Sequence, residues 1–167
     1  GYRNLCRLLT QSYLEGFYYR PRIDKELLTA HAEGLIGLSA CLKGELCAWL
    51  TRGFAEKAED AAREYASIFA NGDFYVELQD HGIPDQKAVN PLLVDLAGRL
   101  GLPLVATNDI HFARREDAES QDVLVCIQTN RKVSDPDRLK FSSDQFYFKS
   151  AAEMAALFKD YPEAIQN

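Results

Sequence analysis

The chain lacks any apolar run near the roughly 20 residues that cross a bilayer. Its opening, Gly1-Tyr2-Arg3-Asn4, has neither an apolar signal core nor an initiator methionine. The expectation is a soluble, cytoplasmic protein without a membrane partner, whose beginning has been cut away. An excess of positive charge is also missing: 19 Lys and Arg face 25 Asp and Glu, for a formal net charge of -6. Binding nucleic acid by bulk charge needs many cations against the phosphates, so any such role must be local or borrowed from other parts. No CxxC pair occurs among Cys6, Cys41, Cys47 and Cys126, which suits reduced thiols better than a disulfide framework. Repeats, low-complexity tracts and internal linkers are absent as well. With 167 residues and 47% hydrophobic content, the chain reads as one domain or a piece of one.

What is present is alternation of helix and strand. Leu5, Leu8, Leu9 and Tyr13 recur at helical spacing and predict a helix over 2–14, followed by a loop over 15–22. Asp24 is a good N-cap for a short helix ending near His31. The run 35–39 predicts a buried strand, and 43–52 and 55–69 predict helices divided by Gly53. A second strand over 74–78 leads to a helix over 85–100, in which Pro91 is expected to kink or restart the chain. A third strand over 102–107 precedes a helix over 115–127. Beyond it come a polar, turn-rich stretch over 130–140, an aromatic one over 141–148, a last helix over 151–158 and a final turn opened by Tyr161-Pro162-Glu163.

Strands separated by long helices imply right-handed crossovers and a parallel α/β sheet, open or curled toward a barrel. A closed eight-stranded barrel takes about 250 residues. Three strands therefore look like its later part, with the missing strands before Gly1.

In such folds functional groups collect at the C-terminal ends of strands. The three exits read Ala40-Cys41-Leu42-Lys43-Gly44, Gln79-Asp80-His81-Gly82 and Asn108-Asp109-Ile110-His111, and each offers metal-ligand types. Asp109 and His111, two apart, share a face if the backbone is extended, so a carboxylate and an imidazole could grip one metal, with Cys41 adding a thiolate. A thiolate with imidazole and carboxylate favours zinc, with manganese or iron where oxygen ligands dominate the rest. Such a metal would serve hydrolysis of a phosphoester, Lys43 helping to hold the phosphate.

Plainer readings stand beside these. A lone Cys after a strand commonly packs, and an Asp-x-His pair is often loop chemistry. His31, at a helix end, reads as structural or surface. Tyr18, Tyr19, Arg20 and Arg22 could stack on nucleic-acid bases or simply pack against a neighbouring strand. Arg114 and Arg115 read as a solvated helix start.

The segments GYRNLCRL, EGFYYRPRID, EGLIGLSACLKGEL, FYVELQDHG, LPLVATNDIHF, AESQDVLVCIQTN and DPDRLKFSSDQFYFKS together resemble the PHP (polymerase and histidinol phosphatase) domain of bacterial DNA polymerase III alpha subunits. The resemblance covers essentially the whole chain. It implies a distorted α/β barrel of about seven strands, with a cluster of up to three metal ions at the strand C-terminal ends. It places the later ligands on Cys41, Asp109 and His111, and an HxH pair with further ligands upstream of Gly1. Residues 1–128 would then be the βα units of the PHP domain, and 129–167 an extension toward the polymerase palm.

The resemblance also implies a parent that is a DNA-directed DNA polymerase using magnesium, its palm aspartates lying after Asn167, with DNA, a proofreading exonuclease subunit and other replicase subunits as partners. The isolated segment would not polymerise. Two roles compete for the PHP face: a 3'-to-5' exonuclease-type site, and a non-catalytic scaffold. A stand-alone phosphatase acting on small phosphoesters fits the segment 117–148 less well. His81 is not among the usual ligands, and its expected place is beside the site or facing substrate.

Overall fold

Helix α1, Tyr2–Leu14, forms where the helical spacing predicts it, but it turns Leu8 and Ser12 inward and leaves Leu5, Leu9 and Tyr13 exposed. The computed structural model describes residues 1–167, the side chain of Ala70 excepted. Asp24 caps α2, Lys25–Ala30, by accepting from Leu27 N–H at 2.8 Å, and His31 closes that helix. The order continues β1 Gly37–Leu38, α3 Glu45–Leu50, α4 Ala55–Ile68, β2 Phe74–Leu78, α5 Pro84–Leu100, β3 Leu104–Ala106, α6 Ala118–Thr129, α7 Ala151–Leu157 and α8 Glu163–Gln166.

The strands form one sheet in the order β1-β2-β3. β1 runs parallel to β2, with Gly37 opposite Phe74 and Leu38 opposite Tyr75. Two bonds join β3 to β2: Val76 N–H donates to Pro103 O at 2.8 Å, and Thr107 N–H donates to Leu78 O at 3.0 Å. The α/β class with parallel strands is as expected. Three strands do not by themselves make the expected seven-stranded barrel.

Several elements differ from the sequence reading. The first strand is shorter than 35–39 and is not buried on both faces: Ile36 and Leu38 are exposed while Gly37 and Ser39 are buried. Helix α5 continues through Pro91, whose missing N–H removes one bond without ending the helix. The helix expected from 115 opens as a 3₁₀ turn, Arg115–Asp117, before α6 begins.

The chain divides into two compact units, Gly1–Glu77 with Leu92–Leu104, and Leu78–Pro91 with Val105–Asn167. In the first unit α3 and α2 pack on α4, and Phe74 stacks on Tyr65 and Phe69 at 5.5 and 6.1 Å. Leu46, Ala58, Ala62, Val76, Leu93 and Leu96 are buried there. Gly37 must be glycine because a Cβ would run into the Phe69 ring.

The second unit buries a more polar set: His81, Gln86, Asn90 and Lys149 beside Leu78, Val89, Val125, Phe146 and Phe158. Its helix α6 ends at Asn130, whose left-handed backbone forms the C-cap. Its helix α7 begins in a capping box between Ser150 and Glu153.

Candidate functional site

The exit of β1 lies in the first unit. Ala40 takes φ +65°, Gly44 N–H donates back to Cys41 O at 2.7 Å, and Cys41 is half-buried. Lys43 is exposed. Nearby Cys47 is buried, and burial above all, then electrostatic interaction with Cys41 and Glu77, pushes its thiol up to about 11. That thiol stays protonated at neutral pH and is a poor ligand or nucleophile.

The exits of β2 and β3 both belong to the second unit, and hydrogen bonds join them. His81 is 1% exposed. Its ring lies flat on Phe146, centroids 4.0 Å apart at 12°. Gln86 grips it twice: Gln86 Oε1 accepts from His81 N–H at 2.8 Å, which directs Gln86 Nε2 to donate to Nδ1 at 2.9 Å. With Nδ1 accepting, the ring proton sits on Nε2 and is donated to Asn108 O at 2.8 Å. Ser143 Oγ donates to His81 O at 2.6 Å. Both ring nitrogens are thus committed to the protein, so His81 is not free to exchange protons with a substrate.

Asn108 is engaged through its side chain as well. Its Nδ2 donates to Tyr147 O at 2.9 Å, and its Oδ1 accepts from Lys149 Nζ at 3.1 Å. Lys149 is 7% exposed, donates also to Gln145 O, and stands 4.5 Å from the centre of the Tyr147 ring. Burial pushes its ammonium below the ordinary lysine range.

Asp109 and His111 come together, Oδ1 and Nδ1 3.9 Å apart, but not by the extended backbone the spacing suggested. Asp109 has φ +47°, and the reversal lets His111 Nδ1 donate to Asp109 O at 2.9 Å. A carbonyl can only accept, so the Nδ1 proton is fixed and the Nε2 lone pair is left over. Among the described residues Nε2 has no hydrogen-bond partner. That is how metal-binding imidazoles are commonly oriented. The His111 backbone N–H donates to Phe146 O at 2.8 Å, and the ring meets the edges of Phe141 and Phe146 at 4.7 and 5.3 Å. A cavity of about 280 Å³ opens beside Phe112 and Phe141, lined also by Glu119, Asp122, Lys140 and Ser143.

His111 Nε2 is thus available to an ion, with the Asp109 carboxylate on the same short loop. Among the described residues no group of three or more His, Cys, Asp or Glu is placed to hold one. Cys41 belongs to the first unit, and Asp109 and His111 to the second.

The other flagged residues have local roles. Tyr18 and Tyr19 meet edge to face at 4.6 Å, and Arg22 stands 5.0 Å over the Tyr18 ring, forming an exposed self-contacting turn. Arg115 is paired with Asp144 at 2.7 Å rather than simply solvated. Sequence reasoning missed Gln86, Asn108 and Lys149. The one available signal was the position of Asn108 between a strand and an Asp-x-His pair.

The PHP domain family matches residues 1–81 of this chain. Over 167 residues the chain is 53% identical to the DNA polymerase III subunit alpha of Treponema pallidum (strain Nichols), covering all of this chain and 14% of that protein. Against the DNA polymerase III subunit alpha of Borreliella burgdorferi it is 50% identical, again over 100% of this chain and 14% of the relative. Against that of Thermus aquaticus it is 46% identical over 164 residues, 98% of this chain and 13% of the relative. The chain thus spans about a seventh of the length of the relatives it matches.

Proposed function

We propose, from the premise that this chain is a PHP-domain segment related throughout to DNA polymerase III alpha subunits, that it is part of a bacterial replicative polymerase and carries the later ligands of its PHP metal site. The parent acts as a DNA-directed DNA polymerase in the cytoplasm, with magnesium at its polymerase site and DNA and other replicase subunits, including a proofreading exonuclease, as partners. The fold is the later part of a distorted barrel of about seven strands. Residues 129–167 lead toward the palm.

The observation that carries the metal reading is the Asp109–His111 pair, in which the Nδ1 proton is held by Asp109 O and the Nε2 lone pair is left for an ion. Cys41, half-buried at the exit of β1 in the first unit, is a separate candidate thiolate ligand. Zinc suits this donor set, with manganese or iron as the alternatives. When bound, the ion supplies Lewis acidity toward a phosphoester. Lys43, exposed near the exit of β1, is a candidate contact for a phosphate on the first unit. The activity of the site is of the 3'-to-5' exonuclease type.

A scaffold role for the PHP face is the second reading. It is favoured by His81, the buried histidine of the β2 exit, whose two ring nitrogens are both spent on protein groups. In this reading the face stabilises the polymerase and docks the exonuclease subunit, and its metal serves the fold.

The deciding experiment measures metal content and removal of 3'-terminal nucleotides in the intact alpha subunit, comparing wild type with Asp109→Ala and His111→Ala. Loss of metal and nuclease together supports the catalytic reading. Loss of metal from a protein that never removed nucleotides supports the scaffold. Unchanged metal in both variants overturns the ligand assignment.

A further inference from the structure

We infer that Asn108, clamped by His81 and Lys149, is the positioning residue that sets the Asp109–His111 pair to receive a metal ion. The inference rests on the metal reading proposed for that pair and names what holds it in place.

Asn108 commits its backbone carbonyl and both ends of its side-chain amide. The carbonyl accepts from His81 Nε2 at 2.8 Å, Oδ1 accepts from Lys149 Nζ at 3.1 Å, and Nδ2 donates to Tyr147 O at 2.9 Å. Each partner is itself immobilised. His81 is fixed by the two bonds from Gln86, by the flat contact with Phe146 and by Ser143 on its carbonyl. Lys149 is buried, donates to Gln145 O, and is absent from the ion pairs among the described residues. Burying an ammonium without a carboxylate partner is costly. Here its donors go to an asparagine amide and a main-chain carbonyl, so the cost is spent on fixing one loop.

The loop needs fixing. Asp109 sits at φ +47°, a region that is strained for a non-glycine residue and persists only where neighbours over-determine it. Downstream, His111 is held by its N–H on Phe146 O and by its ring against Phe141 and Phe146. Upstream, the only residue between Asp109 and the end of the β3 ladder at Thr107 is Asn108. With Asn108 released, Asp109 can return to extended backbone and swing its carbonyl off His111 Nδ1, losing the orientation of the imidazole.

The test uses the intact alpha subunit with Zn²⁺ alone, its affinity read by competition with a chromophoric chelator. Asn108→Ala and Lys149→Met are expected to weaken zinc by about 10- to 100-fold, the usual effect of removing a group that orients a metal ligand. His81→Asn, too short to reach Asn108 O, weakens zinc likewise. His81→Gln, whose amide nitrogen reaches the Nε2 position, stays near wild type. That contrast, together with faster hydrogen exchange of the His111 amide in zinc-free folded protein, is not expected from a general loss of stability.

His111→Ala is the reference. If it loses zinc while folded Asn108→Ala and Lys149→Met bind within about twofold of wild type, the positioning role is overturned and the ligand assignment stands. If His111→Ala binds zinc unchanged, the metal reading falls and the inference falls with it. Should Asn108→Ala fail to fold, Lys149→Met, which removes only the ammonium, decides the matter.

Discussion

The imidazole of His81 donates through Nε2 to the carbonyl oxygen of Asn108 at 2.8 Å, tying the loop after β2 to the loop after β3. A carbonyl can only accept, so Nε2 carries the ring proton, and Gln86 Nε2 satisfies the Nδ1 lone pair that this leaves. Gln86→Leu, close in volume, leaves both Nδ1 and the His81 N–H without their partner in a site where the histidine is 1% exposed. Each buried group left unmade costs about 1–3 kcal/mol. A clear fall in urea midpoint is expected, and a midpoint equal to wild type would remove Gln86 from the account.

Local chemistry was readable in the sequence, and tertiary chemistry was not. Asp24 announced its helix because an N-cap acts within one turn, and β2 was bounded by its own apolar run between turn residues. The first strand was overread because Ile36 and Leu38 are apolar yet exposed, so residue type misreported burial. The closeness of Asp109 and His111 was anticipated from their spacing, but the positive φ that produces it was invisible. The environment of His81 depends on Asn108 and Ser143, 27 and 62 positions away, and no periodicity encodes such partners.

Two glycines separate steric need from mere permissiveness. Gly37 in β1 has no room for a Cβ because the Phe69 ring occupies the space, so Gly37→Ala should overpack the first unit by about 1–3 kcal/mol. Gly98 lies exposed within α5, and a Cβ there meets nothing within 4 Å. Gly98→Ala should therefore stabilise by about 0.5–1 kcal/mol, the ordinary gain inside a helix. Denaturant midpoints of the two variants moving in opposite directions would support this. The same direction for both would contradict it.

The cysteines should differ in reactivity according to exposure and thiolate supply. Cys6 is exposed, Cys47 and Cys126 are buried, and the Cys47 thiol is pushed up to about 11. Brief maleimide treatment of the folded chain at pH 7.5, read by peptide mass spectrometry, is expected to label Cys6 well before Cys47 and Cys126. Urea should bring both buried thiols to the rate of Cys6. Rapid native labelling of Cys47 would contradict the burial described for α3.

Acid should loosen the start of α7 before it unfolds the rest. Glu153 accepts from the Tyr147 hydroxyl at 2.6 Å and from the Ser150 side chain and N–H at 2.7 and 2.8 Å. These bonds, the tyrosine's first, hold its carboxyl down at about 2 from an ordinary 4.5. Because the folded-state value is the lower one, the unfolded chain binds the proton more readily. The contribution is complete above pH 4.5 and is lost as pH falls from there toward 2. Glu153→Gln removes the titration while keeping one acceptor oxygen, so the variant should be less stable than wild type at pH 7, with the difference shrinking steadily on acidification through that window. Thermal midpoints taken between pH 7 and pH 2.5 measure it, and a difference between the two proteins that stays constant with pH would show that the carboxylate does not carry the cap.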